Sequence, residues 1–275
     1  MKRFSMPMMV VAVLGACGHP DQEAETEADD VEETGTVEQG MNGGPKAHDK
    51  GYDKARDTVY QAGTFDDLAT SHFTGEVPYR EVVKHGDFGV GTMSHVDGEM
   101  IALDGVFYSI RDDLVPRRVD PKTPAPFAQV TYFSPDSRGD ISSLSGIAAV
   151  QTALAGLAPD LRTFYAFKAE GTFSSITVRS IHRQEEPYPP IGDVIATQVV
   201  RVLTNVRGTM LGFRTPPWAG ATAFAGYHFH FITHDRKLAG HVLDVSTDRV
   251  KVEIDDKHNL SVDLLGQDND RGKHH

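Results

Sequence analysis

The chain has 275 residues, a formal net charge of −12, 39% hydrophobic residues and a single cysteine. The net negative charge and the lack of a basic cluster argue against nucleic-acid binding, which normally needs a basic surface. One cysteine excludes an intramolecular disulfide, so the fold must be held by its core, by a metal or by a partner subunit.

Residues 1–17 have the pattern of a secretory signal peptide. A basic start, Met1-Lys2-Arg3, is followed by an apolar run and by small residues. The run is too short to span a bilayer, which needs about 20 apolar residues. Leu14-Gly15-Ala16-Cys17 resembles a bacterial lipobox, so we predict that Cys17 is acylated in an exported, membrane-anchored lipoprotein, periplasmic or at the cell surface. The alternatives are an ordinary signal with an incidental cysteine, or a buried apolar strand.

Residues 18–60 are predicted to form a disordered acidic tether. This segment contains nine acidic residues with no lysine or arginine among them: Asp21, Glu23, Glu25, Glu27, Asp29, Asp30, Glu32, Glu33 and Glu38. Low hydrophobicity and a single sign of charge keep such a segment solvated. Without these acids and the two bases of the signal, the chain has 25 basic and 30 acidic residues, which is an ordinary balance for a soluble domain.

Residues 61–265 are predicted to form the folded domain, and residues 266–275 a polar tail. Strand patterns dominate, at 87–90, 100–103, 106–110, 127–133, 163–171, 174–182, 208–214, 226–233, 241–247, 249–253 and 260–264. Helical patterns are fewer, at 65–75, 142–157 and 188–204, the second opened by Ser142 and Ser143 as a cap. These patterns predict a β-rich α+β fold of mostly antiparallel or mixed sheet, with a few covering helices.

Three histidines have the spacing of a metal site. His228 and His230 lie in a predicted strand, where alternation places both on one face. A polar loop at 233–237 reverses the chain, and the next strand begins at His241, which could bring a third imidazole alongside. Three neutral imidazoles with one open position are a common catalytic zinc arrangement. The alternative is a set of half-buried histidines that hydrogen-bond without a metal.

Three charged residues are further candidates. Glu99 begins a predicted strand beside a turn, where an acid is usually solvated but can also project into a site. Residues 168–179 are interpreted as a hairpin around Gly171, with Glu170 and Arg179 on its two arms. Arg179 is either a surface arginine or a group that binds a carboxylate through two hydrogen bonds.

Taken together, these segments resemble the bacterial alpha-acetolactate decarboxylase family from about residue 64 to residue 265. The motifs that support the resemblance occur in the family's order: the glycine-rich run 86–92, the segments 97–100, 103–105 and 170–175, Arg183-Gln184 before 187–189, 212–214, 226–232 and 240–244. A lone His-X-His would be far less specific.

The resemblance implies a fold of two closely packed β-sheet subdomains and a homodimer. It also implies an activity, in which the carboxylate of 2-acetolactate (2-hydroxy-2-methyl-3-oxobutanoate) is removed to give acetoin and CO2. One Zn2+ held by His228, His230 and His241 would stabilise the enediolate as a Lewis acid. Matching motifs assign Glu99 and Arg179 to the site with Thr92 beside them, and Glu170 as a weaker candidate. Arg179 would orient the carboxylate and Glu99 would deliver or direct the proton.

The sequence departs from the family pattern at its C-terminal end. The family generally has a longer segment that returns to the site with an acidic residue, whereas residues 266–275 are short and hydrophilic. Asp255, Asp256 and Asp263 could each substitute for that acidic residue, but none of them matches a motif of the family.

Two other functions fit part of the pattern. A cupin also has a His-X-His motif, but it needs a glutamate shortly after the second histidine, and residues 233–237 contain none. A lipid-anchored zinc-binding protein could use the same three histidines, with His234 as the nearest fourth ligand for a closed site. In such a binding protein the Glu99 and Arg179 motifs would have no role.

Overall fold

The computed structural model describes residues 53–266. The predictions for the signal peptide, for Cys17, for most of the acidic tether and for nearly all of the polar tail lie outside these residues. The predicted tether boundary at residue 60 is too late, because Thr58–Ala62 already forms the first strand and Val59 is fully buried. Within the described residues, no helix combines the length and the apolarity that crossing a bilayer requires.

The first half of the domain forms a seven-stranded mixed sheet in the order β14-β1-β8-β3-β4-β5-β6. Its strands are β1 Thr58–Ala62, β3 Phe88–Thr92, β4 Glu99–Leu103, β5 Val106–Ile110, β6 Pro116–Arg118, β8 Phe127–Thr131 and β14 Asn259–Asp263. Two very short strands, β2 Val77–Pro78 and β7 Pro124–Ala125, pair separately. Among the strand pairings of residues 53–266, only that of β1 with β14 is parallel, and it returns the chain from the second sheet to the first.

The second half forms a five-stranded antiparallel sheet in the order β10-β11-β12-β13-β9. Its strands are β9 Ser137–Leu144, β10 Phe164–Ser180, β11 Val199–Thr215, β12 Gly226–Thr233 and β13 Ala239–Lys257. Because β10 also pairs with β13, these long strands curl until β10, β11, β12 and β13 close on one another. The β-rich class is therefore confirmed, and the division into two subdomains stays a prediction.

The predicted hairpin around Gly171 is wrong, because β10 runs straight through this residue. A Cβ atom at Gly171 would lie 2.1 Å from the carbonyl oxygen of Arg249 on β13. The glycine therefore permits a close approach of two backbones, and does not make a turn. The predicted break at residue 248 is also wrong, since β13 is continuous there.

Four α-helices lie in the described residues: α1 Phe65–Ala69, α2 Tyr79–Val82, α3 Ile147–Leu157 and α4 Ile191–Ala196. The predicted helix at 142–157 begins too early, because Ser142 pairs with Arg249 in the sheet and Asp244 accepts the first helical amide, that of Ile147. The predicted helix at 188–204 is correct only for α4. From Val199 onward the β-branched residues pair with β10, and sheet pairing overrides the helical spacing.

The two sheets pack face to face through one apolar layer. Both sheets contribute fully or nearly fully buried side chains to it, among them Phe88, Val90, Ile101, Phe164, Leu211 and Phe213. Fully burying a side chain of this size contributes about 1.5–3 kcal/mol. This layer fixes the position of β4 in the first sheet against β10 and β12 in the second.

A buried ion pair ties the end of β13 to the start of the domain. Lys257 and Asp255 are each only 2% exposed, and the Nζ–Oδ2 distance is 2.7 Å. Lys257 also donates to the carbonyl oxygens of Arg56 and Tyr132, while the carboxylate accepts from the amide of Ser134. The ammonium group of Lys257 and the Oδ2 oxygen of Asp255 therefore each have more than one partner in a nearly water-free place.

Replacing Lys257 with methionine is expected to lower the free energy of unfolding by about 3–5 kcal/mol, because it leaves the Asp255 carboxylate buried without its counter-charge. Urea unfolding followed by circular dichroism measures this. Lys237→Met is the matched control, since Lys237 is exposed and its pairing with Asp235 at 3.4 Å contributes at most about 1 kcal/mol. Equal effects of the two substitutions would contradict the assignment.

Candidate active site

The register of three neighbouring strands brings the predicted metal ligands together. His228 and His230 project from the same face of β12, as alternation along a strand requires. His241 lies directly opposite His230 on β13, and Arg179 lies opposite His241 on β10. One ligand atom from each of the three rings lies within 4.8 Å of the others, so the three histidines form a group that could hold a metal ion.

The three rings form a compact triangle. Their centroids are 5.0 Å apart for His228 and His230, 5.0 Å for His228 and His241, and 5.3 Å for His230 and His241. The Nε2 atom of His228 is 3.2 Å from the Nδ1 atom of His241. Distances of this size allow three nitrogens to converge on one ion at about 2.0–2.1 Å each.

The imidazoles are held in the neutral form that metal binding needs. Burial, and secondarily the charge of Arg179, lowers the pKa of His228 to about 3. Burial also lowers the pKa of His230 and of His241 well below the ordinary range. All three side chains therefore offer unprotonated nitrogens at neutral pH.

One backbone contact orients His230. Its Nδ1 atom is 2.9 Å from the carbonyl oxygen of Met100 on β4, a contact in which Nδ1 must be the donor. The Nε2 atom is then the unprotonated one, and it is buried with no hydrogen-bond partner. A buried imidazole nitrogen without a partner, facing two other imidazoles, fits a metal ion.

Glu99 and Arg179 form a buried pair beside the triad. Arg179 Nη1 donates to Glu99 Oε1 at 2.7 Å, with the side chains 12% and 6% exposed. The other carboxylate oxygen of Glu99 lies 3.6 Å from His230 Nε2. Burial raises the pKa of the Glu99 carboxyl, and the neighbouring guanidinium opposes that effect. The first sheet thus supplies the acid, and the second supplies the arginine and the imidazoles.

Thr92 supports the acid from the adjacent strand. It pairs with Glu99 in the β3–β4 register, and its hydroxyl donates to the carbonyl oxygen of Gly98 at 2.6 Å. The carbonyl oxygen of Thr92 accepts from the Tyr79 hydroxyl at 2.8 Å. These bonds fix the backbone immediately before Glu99.

Gly98→Ala is expected to lower turnover by up to ~100-fold, because a displacement of about 1 Å at a catalytic group has that effect. Gly98 has φ +89°, and a Cβ there would lie 2.0 Å from the carbonyl oxygen of Ile110, so the backbone before Glu99 must move. The control is Gly105→Ala at the β4–β5 turn, where φ is +76° and no atom lies within 4 Å of the added Cβ. Steady-state kinetics should show normal turnover for the control, and equal losses would contradict the argument.

A cavity beside the triad is lined at one end by Thr92, Glu99, Arg179 and His228. Its other walls are apolar and come from α1, α4, β8, the turn before β4, the segment after β10 and the loop before β12: Phe65, Leu68, Val96, Phe127, Ile181, Ile191, Ile195 and Phe224. None of these side chains was predicted as a site residue, because apolar residues on short helices, strands and turns resemble ordinary core residues. The one sequence signal that could have indicated a role is proximity to predicted site residues, since Val96, Ile181 and Phe224 lie within four positions of Glu99, Arg179 and His228.

Glu170 is not brought to this site. It lies nine positions before Arg179 on β10, roughly 30 Å away along an extended strand. Its carboxylate is 3.6 Å from Lys168 Nζ, and it accepts from the hydroxyl of Thr209 at 3.4 Å. The predicted hairpin placed Glu170 and Arg179 on its two arms, whereas in the structure one continuous strand carries both.

The three acids considered as substitutes for a C-terminal acid lie elsewhere. Asp255 is paired with Lys257, Asp263 accepts from the Tyr60 hydroxyl at 2.7 Å, and Asp256 pairs with Tyr165 in the β10–β13 register. None of them lines the cavity. Among the described residues that line the cavity, Glu99 is therefore the only carboxylic acid.

Comparison with known proteins identifies the family. The model of the alpha-acetolactate decarboxylase family matches residues 59–273. The alpha-acetolactate decarboxylase of Methanosarcina mazei is 38% identical over 201 residues, covering 73% of this chain and 70% of that protein. The Bacillus licheniformis enzyme is 35% identical over 212 residues, covering 77% and 84%.

A solved structure agrees with the sequence comparison. The crystal structure of alpha-acetolactate decarboxylase from Bacillus subtilis strain 168 superposes with a TM-score of 0.73 at 35% identity, covering 75% of this chain and 88% of that chain. The family match over residues 59–273 includes every residue of the triad and of the Glu99–Arg179 pair. The chain therefore belongs to the alpha-acetolactate decarboxylase family and is a carboxy-lyase.

Proposed function

We propose that this chain decarboxylates 2-acetolactate to acetoin and CO2, with Zn2+ bound by His228, His230 and His241. The observation that carries the proposal is the direct contact of the histidine triad with the Glu99–Arg179 pair, at a cavity that Glu99, Arg179 and His228 line. A binding protein would need the triad alone. A buried arginine and a buried acid beside it supply the two further groups that a decarboxylation needs.

Zinc fits the donor set of the triad. Three converging neutral imidazoles are typical ligands of a catalytic zinc site, in which a fourth position is left for water or substrate. Bound there, Zn2+ would supply Lewis acidity toward the substrate's carbonyl and hydroxyl oxygens, which stabilises the electron pair that departing CO2 leaves behind.

Arg179 is suited to hold the substrate carboxylate. A guanidinium offers five N–H donors in a planar fork, and in the structure one of its nitrogens, Nη1, donates to Glu99. The remaining donors can bind a carboxylate through two hydrogen bonds and hold it in one orientation. The C–C bond that breaks is then fixed relative to the triad, which is the main contribution of a positioning group.

Glu99 is proposed to deliver the proton. Decarboxylation replaces CO2 by one proton on the same carbon, so the acetolactate anion and one proton give acetoin and CO2. The carboxyl group of Glu99 lies between Arg179 and His230 and faces the cavity. It is the one acid in the lining, which makes it the candidate for this transfer.

The location and assembly are also proposals. The lipobox at Cys17 supports an exported lipoprotein that acts on excreted acetolactate, and the family resemblance supports a homodimer. Fractionation of cells expressing the wild type and Cys17→Ala tests the first, because the variant should leave the membrane fraction. Sedimentation equilibrium of the soluble variant tests the second, and a monomer would contradict it.

Incubation of the zinc-loaded full-length protein with racemic 2-acetolactate, followed by measurement of acetoin, tests the activity. We expect one acetoin for each molecule of substrate consumed, at a rate well above the spontaneous decarboxylation in a protein-free control. A folded, zinc-loaded protein that forms no acetoin would contradict the proposal and would leave a metal-binding protein.

A further inference from the structure

The cavity has two chemically different ends. Its polar end consists of Thr92, the Glu99–Arg179 pair and His228, which is the one histidine of the triad among the lining residues. Its aliphatic end is built by two short helices, with Leu68 from α1 and Ile191 and Ile195 from α4. If the proposed function is correct, the oxygen atoms of the substrate are bound at the polar end, and its alkyl substituent must face the aliphatic end.

Both helices are held firmly in place. Thr64 and Asp67 form a capping box at the start of α1, with the Thr64 amide donating to Asp67 Oδ2 at 2.7 Å and the Asp67 amide donating to Thr64 Oγ1 at 3.1 Å. On α4, Val194 is 1% exposed and packs in an apolar cluster that also contains Leu68 and Ile181. The neighbouring side chains therefore have defined positions in the cavity wall.

Ile195 occupies the mouth of the cavity. It lines the cavity and is at the same time 37% exposed, whereas Leu68 deeper in the wall is 6% exposed. A side chain in this position contacts a substituent that extends outward from the reacting carbon. Because it is partly in solvent, its size can change without opening a void in the core.

We propose that Leu68 and Ile195 set the size of the alkyl group that the enzyme accepts on its 2-hydroxy-3-oxo acid substrate. Leu68 closes the inner wall, and Ile195 limits the length of the substituent at the mouth. The inference deepens the proposed function and rests on it. It names residues on α1 and α4, outside the histidine and arginine motifs, as specificity determinants.

The test compares kcat/KM for 2-acetolactate, which has a methyl substituent, and for 2-ethyl-2-hydroxy-3-oxobutanoate, which has an ethyl substituent. One methylene in an apolar pocket changes kcat/KM by about 10-fold or more. Ile195→Ala should therefore raise the ethyl-to-methyl ratio about 10-fold, and Ile195→Phe should lower it by a similar factor. Leu68→Ala should raise the ratio in the same direction as Ile195→Ala.

Val202→Ala is the matched control, because Val202 is an apolar residue of β11 that is 58% exposed and does not line the cavity. Its ratio should equal that of the wild type, and urea unfolding of every variant verifies the fold. Ratios within 2-fold of the wild type in folded Ile195→Ala and Ile195→Phe would overturn the inference while the activity stands. A wild type that converts neither substrate would overturn the proposed function, and the inference with it.

Discussion

His230→Ala is expected to lose its bound metal and at least ~100-fold in kcat/KM. The ring of His230 is fully buried at the seam of the two sheets, with Nδ1 on the Met100 carbonyl oxygen and a free Nε2 facing the other two imidazoles. Removing a group that only hydrogen-bonds to a metal ligand and orients it lowers metal affinity or activity by about 10–100-fold. Loss of the ligand itself must exceed that range.

Metal analysis of the purified variant, together with acetoin formation at saturating zinc, measures this effect. His230→Gln keeps most of the side-chain volume, so it separates loss of the ligand from loss of packing. His234→Ala is the control, because His234 is exposed in the loop between β12 and β13 and outside the triad. It should retain metal and turnover, whereas a closed four-ligand site would lose zinc affinity. Full activity of metal-free His230→Ala would contradict the account.

Glu99→Gln is expected to lower kcat by about 10²–10⁴-fold with little change in KM. A positioned general acid contributes about that much to a reaction rate. The amide keeps the shape of the carboxyl group but cannot release a proton, while Arg179 remains available to bind the substrate carboxylate. The loss should therefore fall on the chemical step and not on substrate binding.

Steady-state kinetics with 2-acetolactate separates the two parameters. Asp97→Asn is the matched control, since Asp97 lies two residues away and its ion pair with Arg111, at 3.0 Å, involves a largely exposed arginine. It removes a carboxylate near the site without touching the cavity lining. A kcat for Glu99→Gln within 3-fold of the wild type would assign proton delivery to another group.

The histidine triad was predictable because its geometry is local. His228 and His230 share a face by alternation, and a five-residue loop brings His241 back opposite His230. By contrast, the contact of Glu99 with Arg179 joins residues 80 positions apart on different sheets. No periodicity encodes that contact, and the resemblance to the family was needed to predict it.

The errors share a physical cause, which is that tertiary contacts override local signals. Glycine is typical of turns, and Gly171 was therefore interpreted as one. In the structure, its lack of a side chain allows β10 to pack closely against β13. The valines after α4 fit a helical stripe, but they form the start of β11 because β10 offers them a partner strand. The apolar cavity wall was missed since nothing in a short helix distinguishes a core face from a substrate-facing one.

The most direct test of the account measures zinc content and acetoin formation in the same sample. The purified protein is treated with a chelator, dialysed, assayed with 2-acetolactate, and assayed again after one equivalent of zinc is restored. We predict one zinc per chain before treatment, loss of activity together with the metal, and recovery of both. Undiminished acetoin formation by protein shown to contain no metal would contradict the central claim.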